Sequence, residues 1–298
     1  MRVTVARGYA RTVAEPSTRL ESGLHALIRR DRFVPGAYEL VVDGTPQSHV
    51  NLGDPTDLFF EYVQRMGHVI DQLGMPGQPL TALHLGAGGL TIPRYIDATR
   101  PGSRQQVLEL EPALVELVRS ELPLPQDASI RIRYGDARET LGRLPAGLRG
   151  AADLVVVDIF GGARIPAHVT SREFYALVAQ YLSPSGVVLV NVADGSGAAF
   201  ARGQVATVSD VLADVAVLAE AQVLKGRRYG NFVIVASASP LPLEWMPRLM
   251  AGGPHPAAVV HGRELRNWVA GAPVVHDADA VASPPPSRSV FQVRGGGG

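Results

Sequence analysis

The chain has 298 residues, a length that suits two domains or one α/β domain with appendages. Lys+Arg and Asp+Glu both number 28, which argues against a protein that coats nucleic acid or anionic membrane, since such surfaces demand excess positive charge. Cysteine is absent, removing disulfides, zinc–thiolate sites, iron–sulfur clusters and cysteine nucleophiles, while 46% hydrophobic residues supply a sizeable core.

The longest apolar runs, 154–157 and 187–190, fall far short of the roughly 20 residues that span a bilayer. The start lacks the apolar stretch of a signal peptide, so the expectation is a cytoplasmic protein without membrane contact. Residues 1–30 read as an N-terminal extension with a weak helical pattern over 20–28. Residues 31–78 read as a β-segment plus a helix. Two β-prone runs flank Asp43-Gly44, where glycine supplies the positive φ of a tight hairpin turn. Asp54 and Pro55 then suit the start of a helix, with Phe59, Tyr62, Val63, Met66, Val69, Ile70 and Leu73 at three/four spacing as core and Gly74 as its stop.

From 79 to 240 short apolar runs alternate with helical stretches. Strands are expected at 80–85, 106–110, 130–133, 154–158, 187–192 and 232–237, and helices at 93–99, 112–122, 137–144, 172–182 and 204–219. Thr170-Ser171-Arg172-Glu173 has capping-box form and starts one of them. This alternation predicts an α/β fold: a doubly wound, mostly parallel seven-stranded Rossmann-like sheet, with a small N-terminal β-hairpin segment. Right-handed crossovers put the strand C-termini on one edge, where ligands bind. Residues 241–277 read as a helical cap and 278–298, with Ser283-Pro284-Pro285-Pro286 and four terminal glycines, as a disordered tail.

Four motifs lie along that edge. A strand runs into Gly86-Ala87-Gly88-Gly89, where backbone can approach a ligand without a Cβ in the way. The third glycine of the dinucleotide fingerprint is replaced by Thr91, which points away from a pyrophosphate. Glu109 follows about 20 residues later at the next strand end, where an acid accepts both ribose hydroxyls. Asp136 in Tyr134-Gly135-Asp136 either accepts from an adenine amine or caps a helix, and one carboxylate has lone pairs for both. Asp158 ends an apolar strand ahead of a ten-residue loop holding Gly161, Arg164 and His168.

In this order and spacing the four motifs resemble the class I S-adenosylmethionine-type Rossmann fold. More closely, they resemble the spermidine synthase (aminopropyltransferase) family in its bacterial spermidine-synthase-like branch. The resemblance covers roughly 38–240 and includes the hairpin through Gln47. It implies a transferase of polyamine-type metabolism. Its co-substrate would be decarboxylated S-adenosylmethionine or S-adenosylmethionine, and its partner a small-molecule amine. It also implies a homodimer built through the N-terminal region, since a lone hairpin buries too little to stand alone. By the same resemblance Glu109 holds the ribose, Asp136 the adenine amine, Gly86 and Gly88 the thioether-side wall, and Gln47 lines the pocket. Asp158 matches the first aspartate of the family's catalytic loop.

The chain departs from the family at the second loop aspartate, which orients and deprotonates the attacking amine: Gly161 stands there. A polyamine cation needs matching carboxylates, so the expectation is that the nucleoside half is kept and polyamine turnover is weak. Asp158 or Asp194 would serve as the acceptor-side carboxylate. Two alternatives stay open: an S-adenosylmethionine-dependent small-molecule methyltransferase, and a non-catalytic nucleoside-thioether-binding protein. The eight histidines form no His-x-x-x-His pair, so no metal is expected. His84 reads as a hydrogen-bonded core residue and His68 as a packing or surface residue. The Gly195-Ser196-Gly197 run lacks a nucleophile-elbow context, and no Walker lysine follows the glycines.

Overall fold

The computed structural model describes residues 15–286. Its first unit is a four-stranded antiparallel sheet: β1 (Ser17–Arg19), β2 (His25–Arg30), β3 (Ala37–Val42) and β4 (Thr45–Asn51). The Asp43-Gly44 hairpin forms as read, both residues having positive φ (46° and 76°). The weak helix over 20–28 is instead a turn followed by the first residues of β2. Ala26 and Ile28 are buried while Arg29 and Arg30 are exposed, and Ala26 and Ile28 register against Val42 and Leu40. Two-residue alternation against a ready partner outweighs weak helical spacing. The N-terminal segment is therefore a full sheet rather than a hairpin.

The helix expected from Pro55 starts later, as α1 (Glu61–Asp71). Asp54 spends its carboxylate on the Thr56 amide and hydroxyl in a local turn. The alternating region follows with β5 (Thr81–Leu85), α2 (Thr91–Thr99), β6 (Arg104–Glu109), α3 (Pro112–Glu121), β7 (Ile130–Tyr134), α4 (Ala137–Gly142), β8 (Ala152–Val157), α5 (Arg172–Ala179) and β9 (Leu182–Asp194). Beyond it come α6 (Ala199–Ser209), β10 (Asp214–Ala219), α7 (Ala221–Leu224), β11 (Gly230–Ser237), α8 (Met246–Ala251), β12 (Ala258–His261) and α9 (Gly262–Val269).

The main sheet has eight strands in the order β12-β10-β11-β9-β8-β5-β6-β7. Strands β9, β8, β5, β6 and β7 are mutually parallel, and β11, β10 and β12 extend the sheet through antiparallel ladders. The expected seven become eight because the region read as a helical cap contributes β12. The helix expected over 204–219 splits into α6 and β10. Val215, Val217 and Ala219 face one core and Ala216 and Leu218 the other, a period of two that an alanine-rich sequence obscures. The central strands are buried on both faces in the same manner, with Val155 and Val157 on one side and Leu154 and Val156 on the other.

The small sheet packs on the main domain through a third apolar cluster that joins Ile28, Leu40 and Val50 to Leu114, Leu117 and Val118 of α3. The expected disordered tail is ordered through its first part. Ser283 is fully buried, and its amide and hydroxyl pair with the Ile165 carbonyl and amide at 3.0 and 2.9 Å. Residues 1–14 and 287–298 of the expected extension and tail lie outside the described residues.

Candidate functional site

Strand order reverses at β5: α2 leads outward to β6, whereas β8 returns to β5's other side. Ligands of open α/β sheets bind in the crevice outside the strand C-termini at such a switch point, and Gly86 follows the C-terminus of β5 there. Gly86 has φ +95°, and a Cβ there would stand 2.2 Å from the Asp158 carbonyl oxygen. Gly88 and Gly89 answer a different neighbour. A Cβ on Gly88 would meet the Ser48 hydroxyl at 2.6 Å, and that hydroxyl accepts from the Gly89 amide at 2.9 Å. The glycine turn is thus clasped by β4 from above and by the start of the Asp158 loop beside it.

Glu109 at the tip of β6 is buried. One oxygen accepts from the Ala87 amide at 2.8 Å and the other from the Glu111 amide at 3.0 Å. Burial pushes its carboxyl up, with amides of Glu111, Ala87 and Leu110 opposing. Each oxygen keeps a lone pair, which is what two vicinal hydroxyls would use. Asp136 caps α4 by accepting from the Glu139 amide at 3.0 Å, and its second oxygen meets His168 Nε2 at 2.7 Å. Both expected uses of one carboxylate are therefore partly taken, the second by a loop histidine.

Asp158 follows β8 and is partly buried. It accepts from Asn191 Nδ2 at 2.8 Å and from the Tyr62 hydroxyl at 3.2 Å. Desolvation raises its carboxyl above the ordinary value of 3.8, against those two hydrogen bonds. Burial and the Asp158 charge hold the Tyr62 hydroxyl protonated. The 159–168 loop then makes a tight turn, Gly161 and Arg164 exchanging backbone hydrogen bonds. Gln47 donates to the Gly162 carbonyl at 3.2 Å, tying the loop to the small sheet.

Arg164 Nε donates to the Ser283 carbonyl at 2.6 Å, tying the loop to the chain after 277. One expectation for this side is corrected. Asp194 is no spare carboxylate. It is buried, with its oxygens on the Gly195 and Ala201 amides at 2.6 and 2.9 Å, where it organises the turn into α6. Capping follows the same theme. Ser171 rather than Thr170 caps α5, and the Glu173 carboxylate turns to His276 and to the Asp277 amide.

Sequence reasoning missed several side chains that shape the site. Tyr62 was read as core, yet its hydroxyl is the link to Asp158. Glu111 anchors the small sheet, accepting from the Glu21 and Ser22 amides at 2.7 and 3.1 Å. Burial pushes its carboxyl up, but those hydrogen bonds outweigh it and the net is downward. Partners this far apart in sequence leave no local signal. His84 is as expected: its Nε2 lies 2.9 Å from Gln105, and burial lowers its pKa to about 4. An open groove of about 510 Å³ lined by Gln64, His68, Trp245 and Arg248 touches none of the candidate site residues. Among the described residues no trio of metal-ligating side chains gathers, and no helix is long and apolar enough to cross a membrane.

No protein-family model matches the chain. A polyamine aminopropyltransferase of Vibrio vulnificus is 31% identical over 141 residues, 46% of this chain and 46% of that protein. One from Chromobacterium violaceum is 28% identical over 148 residues, 49% of this chain and 54% of that protein. The chain spans about half the length of these curated relatives. Among solved structures, a probable spermidine synthase from Corynebacterium glutamicum superposes with a TM-score of 0.80 and 28% identity over 89% of this chain and 97% of that one. Spermidine synthase from Thermotoga maritima, 17% identical with a TM-score of 0.57 over 76% of this chain and 74% of that one, shares the fold.

Proposed function

We propose, from the premise that the chain belongs with the spermidine synthase family and carries its class I S-adenosylmethionine-type Rossmann fold, that it transfers an aminopropyl-type group from an S-adenosyl sulfonium nucleoside to a small-molecule amine. The donor is decarboxylated S-adenosylmethionine or a close analogue. Glu109 holds the ribose, Asp136 the adenine amine, and Gly86 and Gly88 the wall beside the sulfur, with Gln47 closing the pocket through the loop. The observation that carries the reading is the placement of two carboxylates, Glu109 and Asp158, on either side of the Gly86 turn, the first fixed on Ala87 and the second contacting Gly86 through its backbone.

The chemistry asks little beyond alignment. Asp158, assisted by Tyr62, takes a proton from the attacking ammonium. The freed nitrogen pair bonds to the carbon next to the sulfonium, and the C–S bond breaks with its electrons moving to sulfur. A neutral thioether leaves and needs no protonation, so in-line positioning supplies most of the acceleration. A carboxyl raised by burial is a better base for an amine than a solvated one. Because Gly161 stands at the family's second loop aspartate, Asp158 works without that partner, and turnover of a plain polyamine is slow.

The protein acts as a cytoplasmic homodimer in this reading, with the small sheet and its 91% exposed Phe33 as the meeting face. Calorimetric titration with methylthioadenosine tests the nucleoside half. Micromolar binding that weakens at least tenfold in Glu109→Gln is expected. Equal binding by both proteins would remove Glu109 from the site, and preference for S-adenosylmethionine with methyl transfer would replace the reading by a methyltransferase.

A further inference from the structure

α1 carries a second group on the face that holds Tyr62. Arg65 lies one turn further on, at the i+3 position that shares that face, and is only 3% exposed. Its Nη1 reaches the Asn231 carbonyl at 3.5 Å, while Nε and Nη2 have no hydrogen-bond partner among the described residues. Glu61 and Glu220 act on it only through space, and Glu220 is itself bound to Arg228. Burial pulls its pKa down, the mark of a guanidinium short of counter-charge.

The neighbouring strands place this cation in the crevice region. Asn231, second in β11, lies opposite Ala193, and two residues further into the ladder Val233 faces Asn191, whose side chain donates to Asp158. The Asn191 Oδ1 is buried and also lacks a partner. A carboxylate and an unpartnered carbonyl oxygen, suited to an ammonium, therefore lie two ladder positions from the strand residue that Arg65 touches, and Arg65 adds unmatched N–H donors suited to two oxygens. A buried, unmatched cation is unfavourable unless a ligand completes it. A polyamine cannot do so, since it brings only more positive charge, and Gly161 offers that charge no carboxylate.

Resting on the transferase reading above, we infer that the accepting amine carries a carboxylate, as an amino acid with a side-chain amine does, and that Arg65 binds that carboxylate while Asp158 and Asn191 receive the amine.

The test compares ornithine with putrescine, which differ by that one group, titrated into the full chain saturated with methylthioadenosine. Ornithine is expected to bind at least tenfold tighter. In Arg65→Gln the advantage should vanish with putrescine unchanged, and in Arg65→Lys part of it should persist. Should the glutamine variant melt far below wild type, the wild-type comparison and the lysine variant decide. Equal or tighter putrescine binding, binding of neither amine, or an advantage that survives Arg65→Gln overturns the inference. A parallel titration with S-adenosylmethionine and its decarboxylated form separates the other source of a carboxylate: an Arg65-dependent preference for the intact donor moves the site to the donor and also overturns it. Transfer of labelled aminopropyl group is read separately. Arg65-dependent ornithine binding with no product from any amine sinks the transferase reading and leaves the carboxylate site standing.

Discussion

Gly161→Asp restores the loop carboxylate that the family resemblance leads one to expect, and the structure makes it a clean perturbation. Gly161 is exposed and does not have a positive φ. A Cβ would find its nearest neighbours at 3.8 Å (Pro166 Cγ) and 4.0 Å (Arg164 oxygen), ordinary contact distances. Stability should therefore change by no more than about 0.5 kcal/mol, with any gain coming from a stiffer unfolded chain. A charge-assisted hydrogen bond contributes about 1.5–3 kcal/mol where it is well shielded, and exposure at this loop reduces it to about 1 kcal/mol, which is about fivefold. With decarboxylated S-adenosylmethionine and putrescine, kcat/KM should rise about fivefold, more if the new aspartate also takes the proton. Methylthioadenosine affinity should stay the same, because the proposed nucleoside contacts, Glu109 and Asp136, lie at the ends of other strands. A folded variant with intact nucleoside binding and unchanged putrescine turnover would refute the view that this position limits polyamine chemistry.

Other perturbations probe separate parts of the design. Gly86→Ala forces a Cβ to within 2.2 Å of the Asp158 carbonyl at φ +95°, so the melting curve should shift by an amount equivalent to about 2–4 kcal/mol or folding should fail. Asp158 has a carboxyl raised by burial in the folded state. Its contribution to stability is thus present below the unfolded pKa and lost as pH rises through the folded value. Asp158→Asn should match or exceed wild-type stability at neutral pH, with the difference fading in acid, while activity disappears; denaturant titrations across pH check the sign. Wild-type activity should have an acidic limb whose midpoint lies above 3.8. Asp277 has a pKa lowered to about 2 by Arg138 and then Ser171, so its contribution is present above the unfolded pKa and lost as pH falls through about 2. Asp277→Asn should speed hydrogen exchange at the Ile165 amide at neutral pH, and unchanged protection there would show that the 277–283 segment holds itself.

Much of this architecture is written locally. The run from strand to Gly86, the acid at Glu109 and the hairpin at Asp43-Gly44 each involve neighbours in sequence, so spacing and turn chemistry suffice to locate them. What escaped depends on distant partners. Tyr62 and Asp158 are 96 residues apart, and a tyrosine at helical spacing is indistinguishable from core until the loop arrives beside it. Arg65 looks like any solvated helix arginine in sequence. Its isolation follows from β11 and α1 closing over it. The β10 error has a different cause: valine and alanine serve either period, and only the two cores of the sheet decide between them. The aspartates were found but not their occupants. Asp194 and Asp136 are drawn into helix starts, a use that competes with ligand binding for the same oxygens.

The loop between Asp158 and His168 is stitched from both directions of the chain, by Gln47 from 115 residues before its contact and by Ser283 from 118 residues after. A nascent chain on the ribosome can complete its glycine turn and lower strands well before this mouth takes shape. The protein should therefore gain its ligand late in synthesis, once residues 277–283 have emerged and fallen into place.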